Sequence, residues 1–190
     1  TVTPALPRGL TVNSATCGIE GTADSISWPA QVYTVVATNS GGSATATVAL
    51  GVKAIAPTEL SYSGGQRRVF TVGAAIATEA PKVDMASDPI TAYSVQPALP
   101  AGLIFSPSQG TVTGTPEEVT PTKMYTFTAS NTGGAVTYSQ LITVNAVAPA
   151  DLSYDGGASS IVLTLGQSVS KRPSLNSEAR AGGAVLTFSV

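Results

Sequence analysis

The chain has 190 residues, of which 43% are hydrophobic and 11% are charged, with a net charge of −2, one cysteine and no histidine. This apolar content is enough to bury a core, and the small net charge provides no field that would attract nucleic acid or an anionic membrane. No apolar run approaches the ~20 residues of a membrane-spanning helix, and without histidine the commonest metal ligand and the usual proton carrier are missing. We therefore predict a non-catalytic protein with no cofactor, no metal site and no membrane span in this segment.

Short β-strands are predicted along the chain, beginning with a hairpin. Apolar and polar residues alternate from Tyr33, pass the turn Asn39-Ser40-Gly41-Gly42 and continue over Ala44–Val52. Asn and Gly tolerate positive φ, so this pattern is typical of a β-hairpin. Single strands bounded by Pro, Gly and Ser are then predicted at Val69–Val72, Thr91–Val95, Leu103–Phe105 and Thr111–Gly114.

A second hairpin resembles the first. Tyr125, Phe127 and Ala129 share one face of its first strand, the turn is Asn131-Thr132-Gly133-Gly134, and a second alternation runs over Val136–Val144. No window shows a sustained helical period. The sequence therefore predicts an all-β protein.

The chain repeats itself over its whole length, at offsets of 92 to 95 residues. Pro4–Leu10 (PALPRGL) returns as Pro97–Leu103 (PALPAGL), and Leu60-Ser61-Tyr62 returns as Leu152-Ser153-Tyr154. Tyr93-Ser94-Val95 returns as the last three residues, Phe188-Ser189-Val190. Repetition at a fixed spacing indicates tandem copies of one structural unit.

About seven short strands in a period of ~92 residues are typical of an immunoglobulin-like sandwich. We predict tandem Ig-like β-sandwiches in a fragment of a longer array, with the C-terminal half of a domain at 1–53, a complete domain at 54–146 and the N-terminal half of a further domain at 147–190. A half sandwich cannot bury its inner face. We therefore expect both halves to be completed by further or neighbouring polypeptide.

Three elements of the complete copy carry a family resemblance: Leu99–Leu103 (LPAGL), Gly110–Pro116 (GTVTGTP) and Tyr125–Asn131 (YTFTASN). In this order they resemble the Putative Ig domain family, the He-PIG group, which is related to dystroglycan-type cadherin-like domains. The resemblance implies an Ig-like β-sandwich that occurs in tandem on secreted and surface proteins, adhesins and extracellular fibres, and it implies no catalytic residues. The first copy departs from the pattern at Cys17–Ala23, and Trp28-Pro29 is interpreted as a loop without a counterpart.

The prolines and glycines of these elements are predicted to determine the fold. Proline fixes φ and biases the residue before it towards extended geometry, while glycine permits a turn. A sugar- or peptide-binding use of the same loops is the alternative. The residues assigned to these turns are Pro4, Pro7, Gly9, Gly21, Pro97, Pro100, Gly102, Gly114 and Pro116.

The carboxylates have structural interpretations. Glu117 and Glu118 are adjacent and point in opposite directions if extended, which favours a solvated loop over an acid/base pair. The cadherin-like relationship makes calcium worth testing, with candidate ligands in two pairs, Asp84 with Asp88 and Asp151 with Asp155. No DxD or DxNDN cluster supplies the six to eight oxygens that calcium prefers, so no calcium site is predicted.

Thiol and basic groups are interpreted in the same way. Cys17 has no partner for a disulfide within the chain, and we interpret it as structural, with an interchain disulfide or a reactive thiol as the alternative. Arg67-Arg68 and Lys171-Arg172 are interpreted as solvated strand edges, where a positive charge blocks unwanted pairing.

Hydroxyl groups beside prolines are candidate O-glycosylation sites. Ser106 and Ser108 flank one proline, and Thr120 and Thr122 flank another, in what are predicted to be loops. The alternative is that Ser and Thr serve only the solvent faces of strands. No Asn-x-Ser/Thr sequon is present, so N-glycans are not expected.

Joints between copies complete the prediction. Ala54-Ile55-Ala56-Pro57 and Ala146-Val147-Ala148-Pro149 are short, apolar linkers that we expect to be stiff. We predict an extracellular or cell-surface structural protein whose repeats build a rod, stalk or filament, such as a surface fibre or flagellar hair, with copies of itself or neighbouring repeats as partners. The alternative is a cell-surface adhesin or carbohydrate-binding module that binds glycans through its loops, with the single tryptophan, Trp28, as a candidate aromatic contact.

Overall fold

The computed structural model describes residues 1–84 and 88–148, together with residues 153–154, 163, 165–166, 168, 170 and 173–174. The secondary structure of these residues consists of β-strands and turns, which confirms the predicted all-β class. The strands are β1 Val2–Thr3, β2 Leu10–Val12, β3 Ile19–Gly21, β4 Ser27–Asn39, β5 Gly42–Val52, β6 Leu60–Tyr62, β7 Arg67–Thr71, β8 Pro81–Val83, β9 Ala92–Gln96, β10 Leu103–Phe105, β11 Val112–Gly114, β12 Thr120–Asn131, β13 Gly134–Asn145, β14 Ser153–Tyr154 and β15 Pro173–Ser174.

Spatial proximity divides the chain into two compact units. One comprises Thr1–Glu59, Val83–Thr91 and Ala129–Val136, and the other comprises Leu60–Lys82, Ala92–Thr128 and Thr137–Val190. This division does not follow the period of the repeat. The boundaries at 1–53, 54–146 and 147–190 therefore remain a prediction.

The complete copy is built around a four-stranded sheet in the order β7-β13-β12-β9. Strand β7 pairs in parallel with β13, placing Arg67 opposite Leu141 and Thr71 opposite Asn145. Two small sheets, β6-β8 and β10-β11, belong to the same copy. The predicted strands and the turn at 131–134 are confirmed to within two residues at each end, except that β12 begins at Thr120, five residues before the alternation that starts at Tyr125.

The core of this copy follows from the alternation of β12 and β13. Tyr125, Phe127 and Ala129 are 2%, 1% and 0% exposed, because successive side chains of a strand point to opposite faces. The ring of Tyr62 lies 4.5 Å from that of Phe127, and its hydroxyl donates a 2.7 Å hydrogen bond to the carbonyl oxygen of Gly110. Gln140, the one polar residue in the alternation of β13, is buried and donates a 2.7 Å bond from Nε2 to the carbonyl oxygen of Gly65. Its polarity is therefore satisfied within the core.

The first copy has the later strands of the same architecture. Its sheet has the order β1-β4-β5, with Val2 opposite Val35 and Tyr33 opposite Val48, and β2 pairs with β3 as β10 pairs with β11. Two expectations for this region are wrong. Trp28-Pro29 opens strand β4, and its counterpart 92 residues later, Thr120-Pro121, opens strand β12. The same strand contains Thr122, so the predicted loop at 120–122 is the first part of strand β12.

The third copy is described at two strands. In β14 and β15, Ser153 lies opposite Ser174 and Tyr154 opposite Pro173, and these strands stand 92 residues after positions of the paired strands β6 and β8. The predictions for Asp151, Asp155, Lys171-Arg172 and the end of the second linker lie outside the described residues.

Candidate functional site

The predicted turn residues lie where two backbone segments approach closely. Leu103 is opposite Gly114, and the glycines Gly102 and Gly114 have φ values of 84° and 117°. A Cβ atom on Gly102 would overlap the carbonyl oxygen of Thr115, and one on Gly114 would overlap that of Gly102. Only glycine fits both the backbone conformation and the space.

The first copy repeats this arrangement. Gly9 and Gly21 have φ values of 84° and 119°, and a Cβ on either would again overlap a carbonyl oxygen across the strand pair. Among the prolines of these motifs, Pro7, Pro100 and Pro116 are buried, Pro97 is half-buried and Pro4 is exposed. The geometry supports the interpretation of these positions as determinants of the fold.

Cys17 occupies the position of a glycine in the complete copy. Its N–H donates a 2.8 Å bond to the Asn13 carbonyl, as the Gly110 N–H donates a 2.7 Å bond to the Ser106 carbonyl 93 residues later. The φ values are 57° for Cys17 and 70° for Gly110, so the cysteine adopts the left-handed conformation that glycine adopts more easily. The thiol is exposed. The repeat offset of 93 is the sequence signal that could have revealed this equivalence.

Beside Cys17 lies an apolar surface over which the described residues place no equivalent of β6 or β7, and we call it the open face. It comprises the inward-directed residues of the first hairpin and surrounds an open hollow of about 430 Å³, lined by Cys17, Ile19, Val35, Ala37, Ala44, Thr45, Ala46 and Val48. Val48 is 37% exposed, whereas Gln140, its equivalent in the complete copy, is 2% exposed. Among the described residues, the two hairpins thus present equivalent faces, of which only that of the second hairpin is covered.

The first linker is held by hydrogen bonds along its backbone. The Ala54 N–H donates a 3.0 Å bond to Oγ1 of Thr132, and the Ile55 N–H donates a 2.6 Å bond to Oδ2 of Asp88. The Ile55 carbonyl accepts a 2.7 Å bond from Nδ2 of Asn131. A Cβ on Gly133 would overlap the carbonyl oxygen of Ala54, so the glycine permits this close approach.

The candidate calcium ligands take part in this same anchoring. Oδ1 of Asp84 accepts bonds of 3.1 and 3.3 Å from the N–H groups of Thr58 and Glu59, and the bond from Thr58 is the main reason why the pKa of Asp84 is lowered below 3.8. Asp88 binds the Ile55 N–H in the same way. Within the described residues, no three His, Cys, Asp or Glu side chains are grouped as a metal site would require. The two carboxylates accept hydrogen bonds from the backbone of the linker and of the two residues that follow it.

The candidate glycosylation residues differ in their surroundings. Ser108 is exposed, whereas the Ser106 hydroxyl accepts a 3.3 Å bond from the Gln109 N–H and stabilises its turn. Thr122 is exposed, and its hydroxyl lies 2.8 Å from that of Thr143 across the sheet, while Thr120 is half-buried. The Ser108 hydroxyl lies 3.3 Å from that of Ser106, so Ser108 and Thr122 are the two exposed residues of the four, and the hydroxyl of each has a hydroxyl neighbour.

Two charged pairs behave differently from each other. Glu117 and Glu118 are both exposed in the irregular segment before β12. Arg67 is exposed, but the interpretation of Arg68 as a solvated edge is wrong, because its guanidinium forms an ion pair with Glu79, which is 4% exposed. The pairing could not be read from the sequence, because it joins residues from separate strands and loops.

Trp28 is the aromatic group expected for glycan binding. Its side chain is 46% exposed, and the ammonium group of Lys53 lies 4.5 Å from the ring centroid. Such a cation–π contact covers one face of the ring. None of the described residues forms a helix with the length and hydropathy required to cross a membrane.

Solved structures similar to this chain contain tandem immunoglobulin domains. Extracellular domains 3–5 of Drosophila OTK are 21% identical over 74% of this chain and 47% of that one, with a TM-score of 0.42. Immunoglobulin domains 1–5 of Sidekick-1 are 19% identical, covering 74% and 30% of the two chains with a TM-score of 0.37. The titin fragment I67–I69 is 17% identical, covering 70% and 59% with a TM-score of 0.37. This chain thus spans about half the length of the OTK structure.

A family model agrees with the strands and turns described above. No curated protein sequence matches the chain. The He_PIG model, described as "Putative Ig domain", matches residues 1–53 and again residues 59–147. These two matches cover most of the chain and contain both hairpins and both glycine pairs. The chain therefore belongs to the He_PIG family of Ig-like domains.

Proposed function

We propose that this chain is part of a non-catalytic, extracellular or cell-surface structural protein whose tandem Ig-like domains build a rod, stalk or filament. In this proposal residues 1–53 are the later half of one domain, 54–146 are a complete domain and 147–190 begin a third. The observation that carries it is the recurrence of the same strand pairings in register: β2-β3 and β10-β11 are 93 residues apart, and positions of β6 and β8 recur in β14 and β15. Stacking of repeated units in one direction is how a chain builds a stalk or fibre.

The linker supports a structural role. Its backbone is bonded to two side chains, Asp88 and Thr132, and to the amide of Asn131, which leaves residues 54 and 55 little freedom. A bonded linker transmits force along a chain better than a flexible one. The turn at 39–42 repeats the asparagine and the two glycines of Asn131–Gly134, with Ser40 where Thr132 stands.

A non-catalytic role is consistent with the contacts of the buried polar groups in the complete copy. The chain has no histidine, its buried Gln140 binds the Gly65 carbonyl, and its buried Glu79 pairs with Arg68. These contacts stabilise strands rather than leave a reactive group facing a cavity. Self-association and glycan modification, with Ser108 and Thr122 as the exposed candidate residues, belong to the same proposal.

One observation favours the second candidate function, a surface adhesin or carbohydrate-binding module. Trp28 is almost half exposed at the start of β4, and an exposed indole is a common platform for a sugar ring. Against it, Lys53 already lies over the ring. A glycan array decides between the two functions: specific binding that is lost in Trp28→Ala favours the adhesin, and an array without hits favours the structural role.

The rod or filament is tested by imaging the native protein that contains this chain. Negative-stain electron microscopy of the intact protein on its source cells and after release should show extended, regularly segmented particles. Free, short monomers in both preparations would contradict the proposal. A soluble catalytic activity of the intact protein that maps to residues 1–190 would contradict its non-catalytic part.

A further inference from the structure

We propose that the bond between Asp88 and Pro89 is an acid-triggered self-cleavage site, at which the carboxyl group of Asp88 breaks the peptide bond that follows it and the amide group of Asn131 assists. The proposal goes beyond the rod or filament proposed above and does not depend on it. It concerns one covalent event in each chain, without turnover, in the loop between β8 and β9.

The sequence places a chemically unusual bond in this loop. Of the thirteen prolines in the chain, Pro89 is the one that follows an aspartate. The nitrogen of an X-Pro bond belongs to a tertiary amide, which makes it more basic and a better leaving group than an ordinary peptide nitrogen. An aspartate carboxyl group reaches its own carbonyl carbon by closing a five-membered ring. The position 92 residues later holds Arg180-Ala181, so the third copy does not repeat the site.

Hydrogen bonds hold the chain on both sides of this bond. The Asp88 N–H donates a 3.2 Å bond to the Ile55 carbonyl oxygen, and Oδ2 of Asp88 accepts a 2.6 Å bond from the Ile55 N–H. Beyond the proline, the Thr91 N–H donates a 2.8 Å bond to the Ser130 carbonyl oxygen. Asp88 is half-buried and Pro89 is exposed. Reacting groups that are held in one geometry lose less entropy on reaching the transition state.

Asn131 provides a donor at the carbonyl oxygen that gains charge in the reaction. Its Nδ2 lies 3.3 Å from the Asp88 carbonyl oxygen and also donates a 2.7 Å bond to the Ile55 carbonyl oxygen. Its Oδ1 accepts bonds of 2.9 and 3.2 Å from the N–H groups of Gly133 and Gly134, which fix the amide in this orientation. A 3.3 Å bond is weak while the carbonyl is neutral and strengthens when its oxygen becomes negative. Such a donor stabilises the transition state more than the ground state.

The proposed reaction is an intramolecular acyl transfer followed by hydrolysis. The ionised oxygen of Asp88 that results when its carboxyl proton passes to the Pro89 nitrogen forms a bond to the Asp88 carbonyl carbon, and the carbonyl oxygen takes up negative charge beside Asn131. The C–N bond then breaks and its electron pair stays on the proline nitrogen. One product ends in a cyclic anhydride of Asp88, which one water molecule opens to two carboxyl groups, and the other begins with Pro89 as a secondary amine. Because the Ile55 N–H holds Oδ2, the attacking oxygen in this proposal is Oδ1.

Acid is the trigger because the reaction starts from the un-ionised carboxyl group. Aspartate carboxyl groups are ordinarily un-ionised only below about pH 4. The other titratable side chains on the segments around Asp88 are Glu59 and Asp84, with the exposed Lys53 and Lys82. The ion pairs that the structure describes do not include Asp88, so no described ion pair has to break when its carboxyl group is protonated.

The cut leaves two fragments that the sandwich still holds together. Strands β6, β7 and β8 belong to fragment 1–88, and strands β9 to β13 belong to fragment 89–190. Tyr62 of the first fragment packs 4.5 Å from Phe127 of the second, and β7 pairs with β13. Acid would therefore remove the covalent continuity of the chain while the complete copy keeps its core.

The test compares cleavage of the full chain in its folded and unfolded states. The chain is incubated at the lowest pH at which circular dichroism shows it folded, and in parallel at the same pH in a denaturing concentration of urea. Denaturing gels and mass spectrometry should show fragments 1–88 and 89–190, formed at least about tenfold faster in the folded chain. Gel filtration at neutral pH should elute the two fragments together.

Matched variants separate the roles of the two residues. Asn131→Ser removes the amide donor but keeps an oxygen that accepts hydrogen bonds in the turn. It should slow cleavage of the folded chain by about tenfold and leave the rate in urea unchanged. The control Asn39→Ser, at the equivalent position of the first hairpin, should change neither rate. Asp88→Glu, which has to close a six-membered ring, should slow cleavage in both states.

Three results would overturn the proposal: no fragment that begins with Pro89, a folded rate no higher than the rate in urea, or equal folded rates in Asn131→Ser and Asn39→Ser. The second result would leave only the lability that any aspartate–proline bond has in acid. Should Asn131→Ser fail to fold by circular dichroism, the ratio of the folded and urea rates in the unaltered chain decides. None of these results affects the segmented rods expected at neutral pH, and free monomers in those images would leave the cleavage site in place.

Discussion

Removing the buried hydroxyl group of Tyr62 should measure how much its hydrogen bond contributes to the stability of the complete copy. In Tyr62→Phe the ring stays in place, 4.5 Å from Phe127 and 6.0 Å from Tyr138, so the apolar packing is kept. What is lost is the 2.7 Å bond to the carbonyl of Gly110, which is itself buried. The variant therefore isolates a single hydrogen bond.

The expected loss follows from that carbonyl. A neutral hydrogen bond contributes ~0.5–1.5 kcal/mol, and a buried acceptor left without a partner costs ~1–3 kcal/mol. Because aromatic packing is unchanged, we expect a decrease of about 1–2 kcal/mol in the free energy of unfolding, or a Tm lower by ~4–16 °C for a domain of this size.

The assay is urea unfolding, monitored by hydrogen exchange of the amides of residues 125–129. These amides report on the core of the complete copy, whereas the fluorescence of Trp28 would report on the first copy. Tyr138→Phe is the control. Tyr138 is half-buried and its hydroxyl has no hydrogen bond to a described residue, so its removal should change the free energy of unfolding by less than ~0.5 kcal/mol. Equal stabilities of the two variants would refute the assignment of the Tyr62 hydroxyl as the partner of Gly110.

Alkali provides a second test of the same group. Burial raises the pKa of Tyr62 above its ordinary value of 10.0, and the nearby Tyr93 adds to this shift. A raised pKa means that stability is intact below pH 10 and is lost as the pH rises further, because the unfolded chain ionises first. We expect the fall in Tm above pH 10 to be less steep in Tyr62→Phe than in the unaltered chain; identical slopes would contradict the assignment.

Three further substitutions probe other contacts. Gly102→Ala should be destabilised by more than Gly65→Ala. Both glycines have positive φ, which costs ~1–2 kcal/mol for alanine, but only the Cβ of alanine at position 102 would also meet a backbone oxygen. Equal urea midpoints of the two variants would contradict this. Arg68→Ala should lower stability by ~3–5 kcal/mol, because it leaves the carboxylate of Glu79 buried without its cation, and Arg68→Ala/Glu79→Leu should recover part of the loss in the same melts. Because the pKa of Asp84 is lowered, its bonds to the linker should persist above pH 3.8 and weaken as the pH falls below it; NMR should show the two amide signals shifting there, and Asp84→Ala should abolish the shift.

The strands that could be predicted are those with a local pattern. Tyr125, Phe127 and Ala129 reveal their shared face because strand periodicity is a property of neighbouring residues. The turn at Asn131–Gly134 was equally visible, since Asn and Gly favour the conformations that a tight turn requires. The sequence therefore predicts both turns and the strand segments beside them, although β4 and β12 begin six and five residues before Tyr33 and Tyr125.

The contacts that could not be predicted are the nonlocal ones. The parallel pairing of β7 with β13 joins residues more than seventy positions apart, and nothing in Arg67–Thr71 identifies its neighbour. The sequence predicts a surface charge at Arg68, because its partner Glu79 lies on a separate segment. The counterpart of Trp28-Pro29 is visible only with the correct repeat offset. The offset changes from 93 to 92 between Gly21 and Tyr33, and at an offset of 92 Pro29 aligns with Pro121.

The two hairpins show what such nonlocal contacts decide. Val48 and Gln140 hold equivalent positions in strands of equivalent pairing, yet the apolar residue is 37% exposed and the polar one is 2% exposed. Side-chain polarity alone predicts the reverse. The difference in exposure between Val48 and Gln140 follows from β6 and β7. These strands and the turn between them place Tyr62 and the Gly65 carbonyl against the second hairpin, and the described residues place no counterpart over the first. Burial of the inner face is thus determined by the early strands of a domain, whereas the register of the hairpin is the same in the two copies.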